Sequence, residues 1–209
     1  FDPRAILQSV VARFAELGLR PVVANELEFY FVDPKRDDKG RISPALPARS
    51  GRAPEAPRVL AFDKLDEWAG ILAEIDAACI AQGVPAGAAT AEYGGAQFEV
   101  NLAHLDDPVL ACDHALMLRR IVKGVAAKHG LEATFMSKPF ADQSGSGLHI
   151  HASLIDAAGR NVFDETTPDG DRMLGHAIAG LQATTYDAMG FFAPNINAYR
   201  RFAANQFVP

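Results

Sequence analysis

The sequence predicts an α+β fold, a curved and mainly antiparallel open sheet flanked by helices. Three observations carry that expectation. Helical periodicity interleaves with short β-branched and aromatic runs along the 209 residues. Polar residues recur on one face of several of those runs, which suits an antiparallel sheet with a core face and a functional face. Gly94-Gly95 interrupts the apolar stretch Val84 to Leu102, which makes a bent strand pair or hairpin of it.

The elements follow in order. Asp2-Pro3 supplies an N-cap and an N1 proline, and Ile6, Leu7, Val10, Val11, Phe14 and Leu17 repeat at helical spacing up to Gly18. Pro21 to Val32 reads as a strand, and on it Glu26 and Glu28 share one face. Asp33 to Pro57 is rich in Pro, Arg, Asp, Gly and Ser, which predicts a long mobile loop, a lid candidate or a plain insertion. A helix is expected from about Asp63 to Gln82, burying Leu65, Trp68, Ile71, Leu72, Ile75 and Cys79, with Gly83 as its stop.

After the hairpin, whose second arm alternates from Ala96 to Leu102, Asp107-Pro108 opens a third helix running to about His129. Leu131 to Ser137 reads as a short strand, Gln143 to Gly147 as a flexible loop, and Leu148 to Ile155 as another strand. Asp156-Ala157-Ala158-Gly159 is turn-like, and a fourth helix spans Asp169/Asp171 to Gly190 before an irregular aromatic tail from Phe191.

Composition bounds the function. A formal charge of −6 without a Lys/Arg-rich run excludes a nucleic-acid surface, since phosphate binding needs clustered cations, and the acidic clusters point to divalent cations instead. Cys79 and Cys112 lie in apolar helical patterns, where small buried hydrophobes are expected, and a reducing cytoplasm fits. No apolar run approaches the ~20 residues that span a bilayer, and no secretory leader opens the chain, so no membrane partner is expected. The chain starts at Phe1 and ends at Pro209 without a closing element, so it is expected to be a piece of a longer polypeptide.

Like-charged carboxylates on one strand face are costly to bury unless a cation neutralises them, and otherwise mark a solvated edge. Glu26 and Glu28 pose that choice, and Glu92 and Glu99 pose it again across Gly94-Gly95. His149 and His151 share a strand face just after Gly145 and Gly147, where the backbone is approachable. Four or five carboxylate and imidazole ligands suit Mg²⁺ or Mn²⁺ better than zinc, and paired metals suit phosphoryl transfer. An iron site of two histidines and one carboxylate is the rival on residue types alone; a third nearby histidine is lacking in this reading. His104, His114, His129 and His176 receive no role.

Four ordered segments carry a resemblance: Glu26-Leu27-Glu28-Phe29; Glu92 through Gln97-Phe98-Glu99; Lys138-Pro139 through His149-Ile150-His151; and Asn195-Ile196-Asn197-Ala198-Tyr199-Arg200-Arg201. In this order and spacing the chain resembles the catalytic domain of the glutamine synthetase superfamily. The resemblance implies that Glu28, Glu92 and Glu99 hold one metal and Glu26 and His149 a second. It implies ATP contacts from His151 and Ser153, glutamate contacts from Ser144 and Gly145, and a carboxylate partner in the guanidinium of Arg201, also its catalytic residue. The chemistry implied is phosphorylation of the glutamate γ-carboxylate by ATP, followed by attack of an amine.

Two departures refine it. Phe207 stands where ammonia-using relatives have a glutamate that binds ammonium and takes its proton, and Ser144 stands where many relatives have Asn. An apolar ring can do neither job, so the chain resembles the γ-glutamylpolyamine synthetase and glutamate-amine ligase branch. The expected acceptor is a polyamine or other primary amine. Ammonia is the runner-up, and a catalytically idle scaffold is the alternative of another class. Residues 1–209 then form the central part of a catalytic domain, lacking the N-terminal β-grasp domain and the C-terminal part. The piece alone is expected to be inactive, and the full-length protein is expected to be a cytoplasmic homo-oligomer.

Overall fold

The computed structural model describes residues 2–52 and 58–202. Its elements are α1 (Pro3–Glu16), β1 (Arg20–Val32), α2 (Phe62–Ala81), β2 (Ala86–Ala91), β3 (Gln97–Leu102), α3 (Pro108–Lys128), β4 (Glu132–Thr134), β5 (Leu148–Ile155), α4 (Pro168–Phe192) and α5 (Ile196–Tyr199). The sheet has the order β2-β3-β1-β4, and β5 also pairs with β1. The pairings of β1 with β3, β1 with β4 and β2 with β3 are antiparallel, so the predicted open α+β sheet is present.

Contacts divide the chain into two compact units. One holds Asn25–Ala103, His114–His149 and the segment from Ile196; the other holds the chain up to Ala24, His104–Asp113 and Ile150–Asn195. The first unit contains the main core. Leu27, Phe29 and Phe31 of β1 and Phe98, Val100 and Leu102 of β3 point to one side of the sheet. There they meet Trp68, Ile71, Ile75 and Cys79 of α2 and Leu118, Ile121, Val122 and Val125 of α3. The Trp68 ring stacks on Phe31 at 5.1 Å with a 14° tilt and meets Phe98 edge-on at 5.7 Å. Strand alternation then sends Glu26, Glu28, Gln97 and Glu99 to the opposite face.

Local chemistry explains the boundaries. The Asp107 carboxylate accepts from the amides of Val109 and Leu110 at the start of α3, and Thr167 accepts from Gly170 before Pro168 in α4. Gly83 and Gly130 follow α2 and α3 with φ of 68° and 70°, a conformation that favours glycine.

Three expectations are corrected. Ser43 accepts from the Asp33 amide, the Ala45 amide donates to Phe31, and Ala45 is buried, so this part of the expected mobile loop is pinned to β1. Backbone hydrogen bonding at a strand end prevails over turn-rich composition there. Cys79 is buried as expected, but Cys112 is exposed, because it lies on the outer side of α3. The expected first helix is present as α1, and none of its residues is buried. The β4 strand is also shorter than expected, three residues within Leu131 to Ser137. Among the described residues no helix is long and apolar enough to cross a membrane.

Candidate functional site

The site grows from the polar face of β1 and β3. Their register sets Glu28 opposite Glu99 and Glu26 opposite Asn101. Like charges directly opposed across a sheet destabilise it, so this register makes sense if positive charge arrives between them. Glu92 belongs to the hairpin turn after β2, where its amide donates to the Gln97 carbonyl at 3.1 Å. His149 enters at the start of β5, with Nδ1 2.9 Å from Glu26 Oε2 and 3.9 Å from Glu99 Oε2.

Glu26, Glu99 and His149 each offer a ligand atom within 4.8 Å of the others. Glu28 approaches His149 beside the glycine loop: a Cβ on Gly147 would lie 2.9 Å from both Glu28 Oε1 and His149 Nε2. Burial, reinforced by the charges of Glu28 and Glu99, pushes the Glu92 carboxyl up to about 7. Burial and the Glu26 charge likewise raise Glu99, against a hydrogen bond from Asn101. All four carboxylates therefore share one field of excess negative charge, and Glu99, expected from sequence with Glu28 and Glu92, has its ligand atom grouped with those of Glu26 and His149. An oxygen-rich set with one imidazole fits hard divalent cations of the Mg²⁺ or Mn²⁺ type.

The glycine loop forms the facing wall. A Cβ on Gly145 would lie 2.7 Å from the Ser137 carbonyl and 3.0 Å from Arg201 Cγ and Nε, so Arg201 packs against the loop only because residue 145 is glycine. Asn197 fixes that neighbour. Its Oδ1 accepts from the Lys138 amide and its Nδ2 donates to the Lys138 carbonyl, both at 2.8 Å, as a strand partner would. Gly145 and Arg201, paired by resemblance, are thus adjacent. His151 and Ser153 lie further along β5, and His151 has the His104 ring at 6.1 Å. A histidine given no role from sequence therefore stands beside it. Phe207 lies outside the described residues.

Four residues of this site were missed as site residues. Tyr30 donates from Oη to the Ser144 carbonyl at 2.8 Å. Gln97 bonds Glu28, Gly145 and Gly94. Lys64 of α2 donates from Nζ to the carbonyls of Glu92 and Gly94 and lies 5.1 Å from the centre of the Phe98 ring. Asn197 is the fourth. Strand parity was the available signal for Tyr30 and Gln97, which share their faces with Glu28 and Glu99. For Lys64 it was a cation four residues before Trp68 on an apolar stripe.

Comparison with known proteins identifies the family. The glutamine synthetase catalytic domain matches residues 1–209. The γ-glutamylputrescine synthetase PuuA of Escherichia coli (strain K12) is 39% identical over 209 residues, covering 100% of this chain and 44% of that protein. A glutamate–isopropylamine ligase from Pseudomonas sp is 32% identical over 204 residues, 97% of this chain and 44% of its own length. Among solved structures, a GmaS/ADP complex superposes with a TM-score of 0.82 at 30% identity, covering 97% of this chain and 45% of that one. The chain spans less than half the length of these relatives. With the ordered carboxylates, the histidine strand and the glycine loop all in place, this chain belongs to the glutamine synthetase family and matches its catalytic domain.

Proposed function

We propose that the protein containing this chain is an ATP-dependent ligase joining the γ-carboxylate of glutamate to a primary amine or polyamine through a γ-glutamyl phosphate. Residues 1–209 would be the central part of its catalytic domain, in a cytoplasmic homo-oligomer. The observation that carries the reading is the Glu26–Glu99–His149 cluster facing a glycine loop packed against Arg201. The names of the putrescine and isopropylamine ligases support an amine acceptor. The apolar identity of Phe207 supports it as well, because a phenyl ring accepts no proton from ammonium.

In this reading Arg201 pairs with a glutamate carboxylate through its planar guanidinium, and the backbone of Ser144 and Gly145 receives the amino-acid end. The γ-carboxylate oxygen forms a bond to the terminal phosphorus of ATP as the bond to ADP breaks. The amine then bonds to the acyl carbon, phosphate leaves, and the amine gives up a proton. Glu26, Glu28, Glu92, Glu99 and His149 would hold Mg²⁺ or Mn²⁺, which offsets charge on the phosphates when bound. His151 and Ser153 would face the nucleotide. Orientation and fixed charge supply the rate in such a site.

The test is ADP release by the full-length protein with glutamate plus putrescine, isopropylamine or ammonium. Faster release with an organic amine is expected. Preference for ammonium would overturn the amine assignment, and failure to bind ATP with Mn²⁺ would favour an idle scaffold.

A further inference from the structure

We infer that Gln97 is a positioning residue that couples the carboxylate cluster to the glycine loop, so that cation binding orders the loop that receives glutamate. The inference rests on the glutamate site proposed above.

Gln97 is fully buried in the sheet. Its Oε1 accepts from the Gly94 amide at 3.0 Å, and its Nε2 donates to Glu28 Oε2 at 3.0 Å and to the Gly145 carbonyl at 2.8 Å. Both amide protons are therefore committed to acceptors on two separate walls of the site. The orientation is dictated by its partners: a flipped amide would set oxygen against a carboxylate and a carbonyl, and NH₂ against an N–H. Water does not reach this position, so any displacement of Gln97 leaves polar groups unpaired. A bond donated to a carboxylate in such surroundings is also of the stronger kind.

Two successive loop carbonyls are held from beneath by different residues. Tyr30 holds Ser144, and Gln97 holds Gly145. Of these two bonds, the one from Gln97 leads by a single side chain to a carboxylate, since Glu28 Oε2 takes the other Nε2 proton while Oε1 lies on the Gly147 side. Fixing Glu28 fixes the Gln97 amide, and that fixes the peptide against which Arg201 packs. The third bond, from Gly94, ties the same amide to the turn that carries Glu92.

The test uses the full-length protein and reads binding rather than turnover. Mn²⁺ affinity is titrated with and without glutamate in the wild type, Gln97→Met and Tyr30→Phe. Reciprocal tightening of about fivefold or more is expected in the wild type, within the usual range for coupled sites, and less than about twofold in Gln97→Met. Tyr30→Phe should weaken glutamate binding yet keep the tightening. Equal linkage in Gln97→Met, or its loss in Tyr30→Phe, would overturn the role of Gln97. If Gln97→Met fails to fold, hydrogen exchange on the wild type decides. Mn²⁺ alone should slow exchange at the amides of residues 144–147 severalfold, and unchanged exchange would sink the inference. A wild type that binds Mn²⁺ but no glutamate would instead defeat the glutamate site itself.

Discussion

The phenolic oxygen of Tyr30 stands where a side chain at Gly94 would begin. A Cβ on Gly94 would lie 2.2 Å from Tyr30 Oη and 2.3 Å from Cε1. The ring has no room to retreat, because it is fully buried and meets Phe140 edge-on at 5.1 Å. Burial, with the charges of Glu28 and Glu92, raises the phenol pKa, so Tyr30 stays protonated and keeps donating to Ser144. The hairpin turn and the glycine loop are thus built around one side chain.

Gly94→Ala should therefore destabilise the protein by about 1–3 kcal/mol, the usual cost of forcing a methyl into a packed region. It should also weaken Mn²⁺ binding, since Glu92 lies in the same turn. Urea unfolding and a Mn²⁺ titration check both. Unchanged stability would mean that Tyr30 finds another place.

The acidic cluster predicts a pH dependence with a definite sign. The Glu92 carboxyl titrates near 7 in the folded chain against an ordinary value of 4.5. Between those values the folded state keeps a proton that the unfolded chain has released. Stability of the metal-free protein should thus fall as pH rises from about 4.5 to 7 and be spent of this contribution above that. A cation needs the ionised form, so Mn²⁺ affinity should climb over the same interval with proton release. Calorimetry at about pH 6 and pH 8, in buffers of different ionisation enthalpy, should show more protons released at the lower pH. Glu92→Gln should flatten the stability profile, and a profile that rises with pH in the wild type would contradict the raised carboxyl.

Asn197 offers a third prediction. Its side chain pairs with both backbone groups of the buried residue Lys138. Asn197→Ala should cost about 1–3 kcal/mol through unpaired backbone polar groups. If the full-length protein is the glutamate ligase proposed above, the same change should raise its KM for glutamate more than it lowers kcat, because it loosens the segment bearing Arg201. Asn197→Asp, which keeps the acceptor for the Lys138 amide but not the donor, should fall between. Equal kinetics for wild type and Asn197→Ala would separate Arg201 from this anchor.

Much of this was legible in sequence because it depends on short-range periodicity. Proline after a capping residue marked α1 and α3, and parity along β1 put Glu26 and Glu28 on one face whatever the rest of the chain did. The Pro-rich return after β1 misled, because composition says nothing about whether a strand end still has free backbone groups for Ser43 and Ala45 to satisfy. Helical spacing in α1 likewise predicted a helix but not whether anything covers its stripe.

By itself, then, the sequence determined the elements, the polar face and the family, through repeats of two and 3.6 residues and through four ordered motifs. Only the tertiary structure decided that Glu28 opposes Glu99, that His149 reaches Glu26, and that Gln97 spends its two amide protons on walls far apart in the chain. Those are contacts between segments separated by scores of residues. Their geometry follows from strand register and core packing, which no local pattern encodes.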